Sequence, residues 1–295
     1  MKFVTAVRNE QRFIGMVKEE DQVIDLSSLA DIKSVDFPAT LHEAITLGFD
    51  FLGRAEELVS LEEAGKHTYL MSEVKLLAPI PRPGKNVFCI GKNYRDHAIE
   101  MGSEADIPED IMVFSKTPTS VIGHKEGIPS HSSITNQLDY EGELAIIIGK
   151  TGTGITKDEA MNHVFGYTII NDITARDLQQ KHKQFLLGKS LNGTCPMGPW
   201  IVHHSAVPNP ENLRIVTKVN GEVRQNGNTS DFIFDIPTMI EELSKGMTLE
   251  AGDIIATGTP AGVGKGMKPP VFLKAGDRVE ITIEGIGTLR NEIVE

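Results

Sequence analysis

The segment Asp139-Tyr140-Glu141-Gly142-Glu143 leads directly into Leu144-Ala145-Ile146-Ile147-Ile148. A short apolar run rich in β-branched residues reads as a strand buried on both faces. Strand side chains alternate with period two, so Glu141 and Glu143 share one face at its mouth. Two like charges side by side in a buried place are costly unless a cation neutralises them. A second apolar run ends in Ile170-Asn171-Asp172 and offers a third carboxylate. Carboxylates converging without cysteine or histidine point to a hard divalent ion, Mg²⁺ or Mn²⁺, held by Glu141, Glu143 and Asp172, rather than to zinc. The plain alternative is a set of solvated or salt-bridged acids at strand ends.

Outward from this stretch the chain changes texture. Before it, Lys2–Val7, Phe13–Val17 and Gln22–Leu26 read as strands, and Leu41–Val59 as an amphipathic helix with Glu56 and Glu57 outside. Leu77-Ala78-Pro79-Ile80-Pro81-Arg82-Pro83-Gly84 holds prolines that neither donate to a sheet nor fit a helix, and reads as an extended linker. The division expected is a small N-terminal domain over 1–75, a proline-rich linker over 76–85 and a main domain over 86–295. The main domain reads as short strands and many glycines with few helices, among them Tyr94–Met101, Lys157–Met161, Thr174–Lys183 and Ile236–Ser244. Val219-Asn220-Gly221-Glu222-Val223 carries an Asn-Gly hairpin signal. The fold class is a mixed, β-rich α/β architecture preceded by a small α+β domain.

Composition narrows the function. With 295 residues, 40% hydrophobic and 24% charged, the chain is an ordinary globular protein. A net charge of −12 argues against a nucleic-acid partner. No stretch reaches transmembrane length and no signal-peptide core opens the chain, so no membrane partner and a cytoplasmic location are expected. The only cysteines, Cys89 and Cys195, read as small buried hydrophobes rather than a disulfide or nucleophiles. Gly149-Lys150-Thr151 and Gly264-Lys265-Gly266 miss the phosphate-loop pattern and read as tight turns. The histidines show no zinc-type spacing.

Three further segments carry chemistry. In Gly91-Lys92-Asn93-Tyr94-Arg95-Asp96-His97-Ala98-Ile99-Glu100 a glycine turn precedes a helix on which His97 and Glu100 share a face. A carboxylate beside an imidazole raises its basicity and fixes its orientation, as a general base needs; the alternative is a surface ion pair. The polar residues after it suggest a segment that could close over a site. In Asp172-Ile173-Thr174-Ala175-Arg176-Asp177-Leu178-Gln179, Thr174 reads as an N-cap with Asp177 as its capping-box partner, and Arg176 and Gln179 share a face. Arginine suits a substrate carboxylate. Gly188-Lys189-Ser190 opens a polar loop running to Pro199, whose lysine would stabilise a developing oxyanion if it lay near the metal.

The ordered set Gly-Lys-Asn-Tyr-x-x-His-x-x-Glu, Asp-Tyr-Glu-Gly-Glu-Leu, Asn-Asp-Ile-Thr-Ala-Arg-Asp-Leu-Gln, Gly-Lys-Ser and Ala-Thr-Gly-Thr-Pro-Ala-Gly-Val-Gly resembles the fumarylacetoacetate hydrolase family over residues 77–295. The resemblance implies a catalytic β-roll domain and a homodimer. It implies a metal on Glu141, Glu143 and Asp172, and a general-base dyad of His97 and Glu100 on a lid that orders over substrate. Arg176, Gln179, Lys189 and Thr259 match positions that contact substrate or the oxyanion. Larger members carry an additional aspartate ligand where Ile90 stands here, so three protein ligands are expected.

The metal-dependent chemistry then expected is cleavage of a C–C bond in a small 2-oxo acid through an enolate. Oxaloacetate decarboxylation is favoured, with Lys189 assisting by its charge. Hydrolysis of an acylpyruvate by water activated at His97–Glu100, and isomerisation of an unsaturated oxo-diacid, share the same site. A metal-dependent binding or regulatory protein on the same fold is the non-enzymatic alternative.

Overall fold

The computed structural model describes residues 1–295, with every side chain but that of Phe49. Its centre is the strand Gly142–Ile148, which contains the predicted run Leu144–Ile148 and pairs antiparallel with Val164–Asn171. Every residue of both strands is buried. The alternation explains how: Leu144, Ile146 and Ile148 enter one apolar cluster, and Ala145 and Ile147 enter another on the opposite face. Hydrophobic residues on both sides require cover on both sides, and the rest of the chain supplies it.

The sheet extends to both sides of this pair. In order it runs Thr68–Leu70, Gln22–Asp25, Gln11–Glu19, Lys2–Arg8, Cys195–His203, Val164–Asn171, Gly142–Ile148, Ile254–Ala256, Val87–Gly91 and Met112–Lys116. Residues 2–70 thus continue the central sheet through Lys2–Val202 and Phe3–Ile201 pairing. The proline segment is packed as well: Ala78 and Ile80 are buried, and Thr5 Oγ1 donates to Pro79 O at 2.7 Å. A smaller sheet, Glu222–Asn228, Arg214–Val219, Arg278–Ile283, Gly287–Val294 and Gly127–Pro129, lies against the first apolar cluster. Asn220–Gly221 forms the expected two-residue hairpin turn, with φ of 52° and 82°. The fold is the β-rich mixed architecture read from the sequence.

Local differences have local causes. The helix expected over Leu41–Val59 is two, Leu41–Thr46 and Phe49–Val59, because Gly48 adopts φ 56° between them. Leu26–Lys33 is a helix that the sequence reading ran past, capped by Asp25, which accepts from Ser28 N. Thr174 is no N-cap: Thr174–Ala175 pairs with Leu138–Asp139, its hydroxyl donates to Asp172 O, and the helix is Arg176–His182. The loop expected to reach Pro199 ends early, since Cys195–His203 is a strand. Pro199 sits at the register break with the neighbouring strand, and Pro196 lies past that pairing, opposite Ile122. Among the described residues no helix is long and apolar enough to cross a membrane.

A buried carboxylate cluster as the candidate active site

Sheet register brings the acids together. Gly142 pairs with Asn171, so Glu141 and Asp172, one residue beyond each, become neighbours; Asp172 N donates to Glu141 O at 2.8 Å. Glu143 lies one pair further along the ladder. Ligand oxygens of Glu141, Glu143 and Asp172 all lie within 4.8 Å of one another, and all three residues are buried. The glycine between the glutamates has a packing reason: a Cβ on Gly142 would stand 2.3 Å from Thr217 Oγ1 of the second sheet.

Three buried cations face these acids. Lys189, at the end of the short helix Leu186–Lys189, donates to Glu141 Oε2 and Asp172 Oδ2, each at 2.7 Å. Its ammonium also lies over the Phe114 ring. Arg176 donates through Nε to Asp139 Oδ2 at 2.8 Å and pairs with Glu141 Oε1 at 2.7 Å. Lys116, fully buried at the end of its strand, reaches Ile173 O at 2.9 Å and Asp172 Oδ1 at 2.8 Å. With Asp139 included, four buried carboxylates meet three buried cations. Glu143 is the acid with no cation within ion-pair distance among the described residues; it accepts Gly258 N at 2.9 Å.

The electrostatics follow from that asymmetry. Burial would raise the Glu141 carboxyl, but Lys189 and Arg176 hold it well below the usual carboxylate range. Burial, and then the charges of Asp172 and Glu141, push Glu143 well above it. Burial opposes charge on Lys189, yet Asp172 and Glu141 raise its pKa. An all-oxygen, clustered and incompletely neutralised donor set fits a hard divalent ion. By contrast burial pushes the Cys195 thiol up to about 12, and Cys89 is likewise raised, so neither cysteine is an activated nucleophile.

A cavity of about 110 Å³ opens on this cluster. It is lined by Glu141, Glu143, Arg176, Gln179, Lys189, Thr259 and His97, and by Ile90, Gly91, Lys92, Met101, Met112, Phe114 and Phe185. Larger clefts elsewhere, of about 790 and 690 Å³, lack the carboxylates. His97 lies on the helix Arg95–Glu100, with Nδ1 3.3 Å from Glu100 Oε2. Glu100 does not itself line the cavity; it stands behind the imidazole, where Gly262 N donates to both its oxygens at 3.0 and 3.1 Å. Gln179 accepts from Arg176 at 3.3 Å, and its Nε2 has no protein partner among the described residues. Thr259 Oγ1 donates to Gly142 O and accepts from Gln225 Nε2. Ile90 stands at the cavity wall without a ligand atom.

Several supporting residues escaped the sequence reading. Asp139, which accepts Gly264 N, Lys265 N and Arg176, had only its place beside the glutamates as a signal. Gln225, fully buried, accepts Gly142 N and donates to Thr259 and Pro260 O; nothing in its hairpin strand marks it. Lys116 follows an apolar strand, and no local pattern separates it from a solvated lysine.

The chain resembles known proteins along its whole length. The family described as Fumarylacetoacetate (FAA) hydrolase C-terminal matches residues 86–294. Over 302 aligned residues, 99% of this chain and 100% of the relative, the chain is 57% identical to Oxaloacetate tautomerase YisK of Bacillus subtilis (strain 168). It superposes with TM-score 0.85 and 45% identity on a fumarylacetoacetate hydrolase from psychrophilic Exiguobacterium antarcticum, covering 100% of this chain and 99% of that one. A 2-hydroxyhepta-2,4-diene-1,7-dioate isomerase from Mycobacterium marinum matches with TM-score 0.74 and 30% identity, covering 100% and 98%.

Proposed function

The chain belongs to the fumarylacetoacetate hydrolase family, and from that premise we propose that it is a divalent-metal-dependent cytoplasmic enzyme, a homodimer, that interconverts the keto and enol forms of oxaloacetate. The observation that carries the reading is a proton-transfer dyad, His97–Glu100, whose imidazole opens on the same small cavity as Glu141 and Glu143. The oxaloacetate class of substrate stands as expected from the sequence. The relative named an oxaloacetate tautomerase, at 57% identity, favours proton transfer as the main outcome over C–C cleavage.

The residues divide the work as follows. Glu141, Glu143 and Asp172 would hold Mg²⁺ or Mn²⁺, and the ion when bound would supply positive charge that favours the enolate form of a 2-oxo acid. With Nδ1 engaged by Glu100, His97 presents Nε2 to the substrate and takes the C3 proton. Glu100, fixed by Gly262 N, stabilises the imidazolium so formed. Lys189 sets a full positive charge beside the cavity where negative charge gathers on the C2 oxygen. Return of the proton to oxygen rather than carbon completes the tautomerisation. Arg176 spends its guanidinium on Asp139, Glu141 and Gln179, so its role is to orient Glu141, while Gln179 and Thr259 contact the substrate.

Decarboxylation instead starts from the keto form, the C3–C4 bonding pair passing to the C2 oxygen to leave CO2 and the enolate of pyruvate, and one experiment separates the two. Enol absorbance and pyruvate release are followed together with purified protein and Mn²⁺. Enol–keto exchange is expected to outrun pyruvate release, and His97→Ala to slow exchange about 10²–10⁴-fold. Equal rates of pyruvate release and enol loss would make decarboxylation the reaction. Exchange that survives His97→Ala unchanged would sink the dyad. Sedimentation equilibrium tests the homodimer.

A further inference from the structure

Lys92 is the cation of the cavity that the mechanism leaves unused. Of the other basic side chains lining that space, Arg176 and Lys189 are bound to buried carboxylates, and His97 is paired with Glu100. Lys92 differs in each respect. Its side chain is 26% exposed, and its partner is Asp106, itself 45% exposed, at 3.4 Å. That distance is long for a charge-assisted hydrogen bond, and exposed pairs of this kind contribute little. Asp106 also has partners of its own, since Ser103 N and Oγ both donate to it at 2.9 Å. The acid therefore stays satisfied whether or not Lys92 remains with it.

The backbone points the same way. Lys92 adopts φ 52°, a left-handed conformation that glycine takes at less cost than lysine. It sits between two fixed points. A Cβ on Gly91 would meet Met112 Sδ at 2.8 Å. The fully buried Asn93 side chain donates to Phe234 O and Thr257 O and accepts Phe234 N. A strained base at the cavity wall thus carries a long cation whose tip is loosely held by Asp106.

We propose that Lys92 recognises the distal carboxylate of a 2-oxo dicarboxylate, exchanging Asp106 for the substrate, and so selects diacids over 2-oxo acids with neutral tails. This rests on the reading that the cavity takes a 2-oxo acid at its carboxylate end. One acid replaces another on the same ammonium, so the exchange leaves no charge unpaired within the cavity.

Calorimetric binding in the presence of Mn²⁺ tests it with two probes. Oxalate has no distal carboxylate to offer Lys92 once it chelates; 3,3-difluorooxaloacetate has one and cannot enolise. Lys92→Met is expected to weaken the difluoro diacid about tenfold or more, the loss of one charge-assisted contact, and to change oxalate less than twofold. Lys92→Gly relieves the backbone, so it is expected to melt no lower than wild type while losing the diacid to the same degree. Asp106→Asn, which removes the competing acid, is expected to tighten the diacid and leave oxalate alone. Equal losses for both probes, or no loss for either, would overturn the proposal. Wild type that binds neither probe would bring down the functional reading, and this inference with it.

Discussion

Removing the charge of Glu143 separates the two demands that its site makes. Burial and the neighbouring Asp172 and Glu141 raise its carboxyl above the usual range. An acid whose folded pKa exceeds its unfolded one favours the fold at low pH. That stability is lost as pH rises from the ordinary carboxylate range through the raised folded value. Metal-free protein in chelator is therefore expected to melt lower as pH climbs across that window. Glu143→Gln should flatten the slope, gain on the order of 1 kcal/mol at neutral pH, and weaken Mn²⁺ binding at least tenfold. A wild-type melting temperature that ignores pH in chelator would refute the account. Lys116 gives the opposite case. Lys116→Met leaves Asp172 Oδ1 and Ile173 O without their partner in a fully buried place. A cost of about 3–5 kcal/mol is expected in denaturant midpoint at unchanged slope. The two residues also mark the limit of legibility. Glu143 could be read because an acid abutting an apolar run is anomalous. Lys116 could not, because a lysine ending a strand is ordinary until its neighbours are known.

Among the elements, the loop Gly258–Gly266 does most to assemble the site, for its amides hold acids from three separate segments. Gly258 N binds Glu143, Gly262 N binds Glu100, and Gly264 N and Lys265 N bind Asp139. The sequence reading weighed Gly264-Lys265 as a phosphate loop and rejected it; the amides do cradle an anion, but it is the protein's own aspartate. Gly262 takes φ 106° with Arg224 O where a Cβ would stand, and Gly266 lies against the Glu100 carboxylate, 2.3 Å from any added Cβ. Gly266→Ala should therefore push Glu100 from behind His97. We expect kcat to fall about 10–100-fold, with Mn²⁺ affinity kept within threefold, because Gly258, which holds Glu143, stands at the far end of the loop and Lys189 holds Glu141 and Asp172 from another element. A matching loss of metal affinity would show that the loop moves as one piece instead. Elements with a strong local code were legible: the Asn220–Gly221 hairpin and the buried strand Gly142–Ile148. Those set by tertiary pairing were not, as with the first half of Cys195–His203, where prolines argued for a loop up to Pro199.

At the scale of the molecule, composition and sheet topology draw different boundaries. The family match begins at residue 86 and the prolines mark 76–85, yet the central sheet begins at residue 2. The second apolar cluster joins Phe3, Ile14, Leu41, Ile45 and Phe51 to Cys89, Ala145, Ile147, Met197 and Ile201. Neither half of that list buries its apolar surface without the other. We therefore propose that residues 1–75, read from composition as a small domain, act as the missing half of a shared core rather than as an independent unit. Pairing seen in the folded chain could not be read in advance, because strand order between distant segments leaves no local trace. A fragment of residues 77–295 would expose the Cys195–His203 edge and the apolar face beneath it, which invites edge-to-edge association. It is expected to bind a hydrophobic dye, to lack a cooperative melt and to lose Mn²⁺ binding, although it retains every metal carboxylate, the dyad and Lys189. Reversal of all three defects when residues 1–76 are added in trans would support the shared core. A fragment that melts cooperatively alone, with wild-type Mn²⁺ affinity, would establish the N-terminal segment as a dispensable domain.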